Sequence, residues 1–197
     1  MKLIDQYIKS QYGNKRVILI NSHSHWDHVW GNSFYTSSII IAHVLCKKYM
    51  EQDGLEEVER YKDNRKGRVI LTYPNLTFTN KICFEEDDIL IYHTPGHTDD
   101  EISIIDSIDK VLFAGDNLER PIPYLMSNNL EQYIKTLEDY IKLDVEVVIG
   151  GHTSCEDKGL IQDNLDYVKK VLMKNTVEFE KDKYAQYHKT NMEWLSK

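Results

Sequence analysis

Asn21-Ser22-His23-Ser24-His25-Trp26-Asp27-His28 places three histidines and a carboxylate within six residues. The apolar run at 17–20, Val-Ile-Leu-Ile, comes just before it and reads as a short buried strand. Alternation along an extended segment sets His23 and His25 on one side, and Asp27 and His28 follow as the chain turns. Imidazole and carboxylate are the donors that suit zinc and similar first-row metals. One strand end cannot aim a full ligand set at a point. Further donors stand downstream, each beside glycine: Pro95-Gly96-His97-Thr98, Gly115-Asp116 and Gly150-Gly151-His152. Glycine beside a ligand permits a tight turn and close backbone approach. The candidate metal ligands are therefore His23, His25, Asp27, His28, His97, Asp116 and His152. They are too many for one tetrahedral ion and suit a pair.

The order His-x-His-x-Asp-His, then Gly-His, Gly-Asp and Gly-His, resembles the metallo-β-lactamase superfamily of hydrolases, over roughly residues 1–171. The resemblance implies an α+β fold, a four-layer αββα sandwich with the metals at one edge of the two sheets. It puts His23, His25 and His97 on one metal, Asp27, His28 and His152 on a second, and Asp116 between the two. The cofactors it implies are two divalent ions, zinc foremost, with iron or manganese as alternatives. A hydroxide shared by two metals attacks a carbonyl or phosphoryl centre, so no protein nucleophile is required. Asp27 and Asp116 are the catalytic carboxylates on this scheme. Family members have strands ahead of the helix that precedes the histidine motif. This chain begins at that helix, so the first strands are expected to be lacking. The strand at 17–20 is then expected to leave an open edge, through which a homodimer forms.

Working outward from the motif, residues 3–12 carry Leu3, Ile4, Tyr7 and Ile8 at helical spacing, with Gly13 as a stop. Residues 39–42 read as a strand and 43–61 as a helix, followed by a charged loop at 63–67. Short strands are expected at 76–79, 81–84 and 89–93, joined as a meander with 85–88 as a turn, and again at 102–105 and 111–114. Leu130, Ile134, Leu137 and Ile141 mark a helix. A strand at 145–149 leads into Gly150-Gly151-His152, and Leu160, Leu165, Val168 and Leu172 mark another helix. The polar segment 178–197 is expected to be a helical tail. Neither a repeat nor a linker interrupts the pattern, which predicts one domain over 1–197.

The chain has 197 residues, enough for a sizeable core, with 41% hydrophobic and 28% charged residues. Its 24 basic and 32 acidic residues give a net charge of −8, which argues against a nucleic-acid surface. No run is long and apolar enough for a signal peptide or membrane span. Cys46, Cys83 and Cys155 lack metal-ligand spacing and read as free thiols in a reducing, cytoplasmic setting, with Cys155 as a small buried thiol. His43, His93 and His188 stand apart from the motif and read as structural or exposed. Asp99 and Asp100 read as turn residues. Trp26 and Trp30 flank the ligand loop, either as pocket walls or as core. Tyr124 and Met126 lie on a loop suited to shaping access.

Zinc β-lactamases carry a different residue where Asp116 stands. Flavodiiron proteins replace the second histidine, and RNA-processing members are longer. The small dinuclear hydrolases remain, acting on an ester, thioester or lactone-like small molecule, as in the glyoxalase II and lactonase branches. The alternatives are β-lactamase-like or phosphodiesterase activity, or a truncated, non-catalytic metal-binding protein.

Overall fold

The structure is a computed structural model that describes residues 2–196. It contains a three-stranded and a five-stranded sheet with six α-helices, and the chain divides after Thr79 into two compact units.

The first unit opens with helix α1 (Lys2–Tyr12), which has no buried residue: Leu3 and Tyr7 are exposed. Strand β1 (Ile18–Ile20) follows and leads through the histidine loop into the short helix α2 (Trp26–Val29). Strand β2 (Ile39–His43) pairs in parallel with β1 on one side and with β3 (Leu76–Phe78) on the other. Its unbroken Ile-Ile-Ile-Ala run suits a central strand of a parallel sheet covered on both faces. Ile40, Ile41 and Ala42 are indeed buried. Helix α3 (Val44–Arg60) turns Cys46, Met50 and Gly54 inward at four-residue spacing, and Cys46 and Met50 meet Val29 and Ala42. His43 starts this helix, its Nδ1 accepting from the Leu45 amide at 3.3 Å while Nε2 donates to the Thr79 carbonyl at 3.0 Å.

In the second unit, β4 (Lys81–Phe84), β5 (Ile89–His93), β6 (Ile102–Asp106) and β7 (Val111–Gly115) run antiparallel in order. Helix α4 (Leu130–Lys142) carries the chain across to β8 (Val147–Gly150), which pairs in parallel with β7. Helix α5 (Gly159–Leu172) packs on α4, and α6 (Ala185–Leu195) closes the unit. The core is formed by Leu112, Ala114 and Val148 of the sheet with Tyr133, Leu137, Tyr140, Leu160, Leu165 and Val168 of the helices.

Two expectations need correction. The meander is not formed: 76–78 pairs with β2 in the first unit, and only 81–84 and 89–93 make a hairpin. Short apolar runs announce strands but not partners. The buried stripe of α4 also runs through Leu130, Tyr133, Leu137 and Tyr140, leaving Ile141 exposed. The two tyrosines bury large apolar rings while their hydroxyls find hydrogen-bond partners. The turn at 85–88 is a 3-10 turn ending on Asp88 at φ 51°. Among the described residues no helix is long and apolar enough to cross a membrane.

Leu137 is wholly enclosed between α4, α5 and the sheet. Leu137→Ala is expected to cost about 2–5 kcal/mol. Thermal unfolding followed by circular dichroism should show Tm lowered by roughly 4–20 °C.

Candidate metal centre

In the first unit the ligand loop is tied down at its base. The Asn21 amide donates to the Ile41 carbonyl at 2.9 Å, continuing the β1–β2 pairing by one residue. The buried side-chain amides of Asn21 and Asn32 pair reciprocally at 2.9 Å, and each reaches a carbonyl besides: Asn21 that of His28 at 3.2 Å, Asn32 that of Thr72 at 3.0 Å. Buried amides satisfied on both ends fix a loop in one conformation.

On that base His23, His25 and His28 converge. Their ring centroids lie 4.5 Å (His23–His25) and 4.1 Å (His23–His28) apart, and His23 Nε2 is 2.9 Å from His25 Nδ1. Ser22 Oγ lies 3.1 Å from His23 Nδ1 and 3.0 Å from His28 Nδ1, and so orients both rings. The Asp27 carboxylate is 3.9 Å from His28 Nε2. Trp26 stacks on Tyr61 with centroids 5.2 Å apart and meets Trp30 at a tilt of 52° with centroids 4.8 Å apart. Trp30 both packs against the Val29 cluster and lines a cleft beside Asp27 and His28, so it serves as core and as wall.

In the second unit His97, Asp116 and His152 come together from three chain segments. Asp116 Oδ2 lies 3.9 Å from His97 Nε2 and 3.3 Å from His152 Nε2. His97 is 3% and His152 49% exposed in the side chain, so one is a fixed wall and the other stands open to solvent. The His97 turn is held by Asn117, whose Oδ1 accepts from the His97 amide at 2.7 Å. Its Nδ2 donates to the Thr94 carbonyl at 2.7 Å and to Tyr140 Oη at 2.9 Å. Tyr140 Oη also meets Ser103 Oγ at 2.5 Å, and Ser103 meets Thr94 Oγ1 at 2.9 Å. Burial pushes the Tyr140 hydroxyl up to about 12, so it stays protonated and able to donate within this network. The Tyr124 carbonyl accepts from His97 Nδ1 at 2.9 Å. That bond puts the proton on Nδ1 and leaves the Nε2 lone pair toward Asp116. Tyr124 thus acts on the site through its backbone.

Two glycines are needed for close approach. A Cβ on Gly96 would sit 2.4 Å from Asn117 Oδ1 and 2.5 Å from the Tyr133 ring. One on Gly150 would sit 2.1 Å from the Leu118 carbonyl oxygen. Beyond Gly150 the chain loops out with His152 and returns to β8, where Val148 and Glu156 exchange backbone hydrogen bonds at 2.9 Å.

Two acidic residues join the site that nothing in the pattern singles out. Glu101 is buried and its Oε1 accepts from the Asp116 amide at 3.2 Å. Burial, reinforced by the Asp116 and Asp100 charges, holds its carboxyl well above the usual carboxylate range. A cation on Asp116 would act in the opposite direction. Glu119, also buried, offers a carboxylate oxygen within 4.8 Å of donor atoms of Asp116 and His152. The Asn164 side chain clamps it, accepting from its amide at 2.9 Å and donating to its carbonyl at 3.0 Å. Asn164 lies 45 residues away in sequence, too far for local spacing to reveal the clamp.

Donors around a tetrahedral zinc at about 2.0–2.1 Å stand roughly 3.3–3.4 Å from one another. The 2.9 Å His23–His25 separation and the 3.3 Å Asp116–His152 separation fall near that value. The donor sets therefore fit a divalent metal in chemistry and in spacing. His43 and His93 lie outside them, each donating to a backbone carbonyl, and His188 pairs with Tyr167 Oη at 3.0 Å. Asp99 and Asp100 are turn residues, and Cys46, Cys83 and Cys155 form no disulfide among the described residues. Cys155 is exposed, contrary to the expected buried thiol, because it lies on the outward loop with His152.

The chain matches the family model described as metallo-beta-lactamase superfamily over residues 13–152. It is 25% identical to the human (Homo sapiens) acyl-coenzyme A thioesterase MBLAC2, and 24% identical to the same enzyme from Bos taurus. Each match covers 76% of this chain and 61% of the relative. The chain thus spans under two thirds of the length of these relatives. Among solved structures, DIM-1 metallo-beta-lactamase aligns with a TM-score of 0.71 at 15% identity, covering 86% of this chain and 76% of that one. A metallo-beta-lactamase from Pontibacter korlensis aligns with a TM-score of 0.65 at 16% identity, covering 85% and 76%. At these identities the likeness concerns the fold, which is shared.

Asn117→Ala would leave the buried His97 amide without its acceptor. The expected cost is about 1–3 kcal/mol in the metal-free protein. Loss of this supporting bond should also weaken zinc binding by roughly 10–100-fold. Chemical denaturation and competition with a chromogenic chelator read the two effects separately.

Proposed function

This chain belongs to the metallo-β-lactamase superfamily, and we propose that it is a metal-dependent hydrolase of acyl thioesters. The observation that carries the hydrolytic reading is the Asp116 cluster, where a buried carboxylate faces two imidazole nitrogens, one of them with its tautomer set by a carbonyl. The choice of thioester over other acyl compounds rests on similarity to acyl-coenzyme A thioesterase MBLAC2.

We assign His23, His25, Asp27, His28, His97, Asp116 and His152 as the ligands of two divalent ions, zinc by preference for this nitrogen and oxygen set. When bound, such ions supply Lewis acidity for the carbonyl and lower the pKa of water toward neutrality. The chain's own part is to orient. Ser22 and the Tyr124 carbonyl fix which imidazole nitrogens point to the donor clusters. Asp116, its amide held by Glu101, keeps its carboxylate between His97 and His152. Asp27 in the first unit and Asp116 in the second are the carboxylates we assign to accept a proton from an attacking water. The water oxygen bonds to the carbonyl carbon as the C–S bond breaks, and the water's two hydrogens end on the released acid and thiol. A thiolate is a good leaving group and needs no covalent protein intermediate.

Purified protein from zinc-supplemented growth is expected to carry about two metal ions per chain. Elemental analysis finding only traces would overturn the assignment. Asp116→Ala should reduce thioester hydrolysis on the order of 10²-fold or more, whereas Cys155→Ser should leave it within twofold. A screen of thioester, ester, lactone and β-lactam substrates tests the substrate class, and the strongest turnover is expected on the thioester.

A further inference from the structure

We propose that the segment Arg65-Lys66-Gly67-Arg68 is an anion subsite that grips the phosphate groups of a coenzyme A-type thioester. This rests on the thioester reading above and names the part of the substrate that gives it specificity.

The observation is a cleft of about 480 Å³ within the first unit. Its lining includes Asp27, His28 and Trp30 of the ligand loop together with Arg65, Lys66 and Arg68. This concentration runs against the chain's net charge of −8, with three cations in four consecutive positions. Such a run is ordinarily a solvated surface loop, and two facts set this one apart. It lines the same cleft as the assigned metal ligands Asp27 and His28. Its charges are also largely unneutralised, although acidic side chains lie close in sequence. At the end of α3, Glu56 pairs with Arg60 and Glu59 with Lys62. Arg65 gives its Nε to the Lys62 carbonyl at 3.2 Å and acts on Glu59, already paired with Lys62, only through space. Lys66 and Arg68 have no ion pair among the described residues. Exposed cations with so little neutralisation beside a cleft leave charge for an anion from solution.

The chemistry points to phosphate. Two guanidinium groups flanking an ammonium offer bidentate forks and a point charge, the combination that matches phosphate oxygens. A thioesterase must distinguish its thiol by parts that do not react. Binding energy from such remote groups selects the substrate and positions the acyl carbon. In coenzyme A the phosphates are the remote groups with the greatest charge, and the flexible pantetheine arm lets them reach the basic segment while the thioester turns toward the ligand loop.

The test compares the full-length, metal-loaded wild type with the triple variant R65Q/K66Q/R68Q. Because these side chains are exposed, Tm should stay within a few degrees of wild type. With an acyl-coenzyme A substrate, KM should rise at least tenfold with kcat within twofold. With the matching acyl-pantetheine thioester, which lacks phosphate, KM should not change. Calorimetric titration with adenosine 3′,5′-bisphosphate should give binding to the wild type that weakens with added salt and falls at least tenfold in the variant. Equal KM shifts on both substrates, unchanged KM for acyl-coenzyme A, or no bisphosphate binding by the wild type would each overturn the subsite. If the wild type binds bisphosphate through these residues but cleaves no thioester, the subsite stands and the proposed reaction falls.

Discussion

The donor cluster of the second unit depends on one side chain, Asn117. Its amide group links the amide of His97, the carbonyl of Thr94 and the hydroxyl of Tyr140. Those groups belong to the turn after β5, the end of β5 and helix α4. Because Asn117 follows Asp116 directly, the same residue that stops the His97 turn from moving also places the next ligand. A buried amide can make these bonds in only one orientation, and leaving any of them unmade is costly. The requirement for glycine at position 96 follows from this constraint, since Asn117 Oδ1 and Tyr133 occupy the space a side chain would need.

The two units solve the same problem by different means. In the first, one loop supplies several donors, and a reciprocal Asn21–Asn32 amide pair closes its base. In the second, donors come from separate strand ends, and long-range contacts align them: Asn117 with Tyr140, Glu119 with Asn164, the Tyr124 carbonyl with His97. A loop whose ligands are neighbours in sequence can be organised locally. Ligands drawn from three segments require the sheet and the α4–α5 layer to form first. The His97 end of the site is accordingly buried and rigid, while His152 stands on an outward loop.

Buried carboxylates near Asp116 give the site a strong negative character. Glu101 and Glu119 are enclosed with it, and burial, reinforced by the neighbouring carboxylates, raises the cost of ionising Glu101. A divalent cation is the partner that such a cluster favours, since buried charge persists only when paired or coordinated. The basic segment at 65–68 carries the opposite sign in the first unit. Its charge is exposed and comes with no burial cost.

By itself the sequence determined which residues are candidate ligands, because histidine and aspartate at fixed short spacings beside glycine carry the pattern without reference to the fold. It likewise determined most strands and helices, since their periodicity is local: 39–42 became β2, 81–84 became β4 unchanged, and the 130–141 stripe became α4. Only the tertiary structure decided that 76–78 joins β2 rather than the following hairpin, because strand pairing is a choice among distant partners of similar hydrophobicity. Only the fold, too, brought Asn117, Tyr140, Glu101, Glu119 and Asn164 around Asp116. Their importance lies in hydrogen bonds across 15 to 45 residues of chain, and no spacing rule reaches that far. The cleft that Arg65, Lys66 and Arg68 line together with His28 is likewise a product of packing, where the sequence shows merely a charged loop.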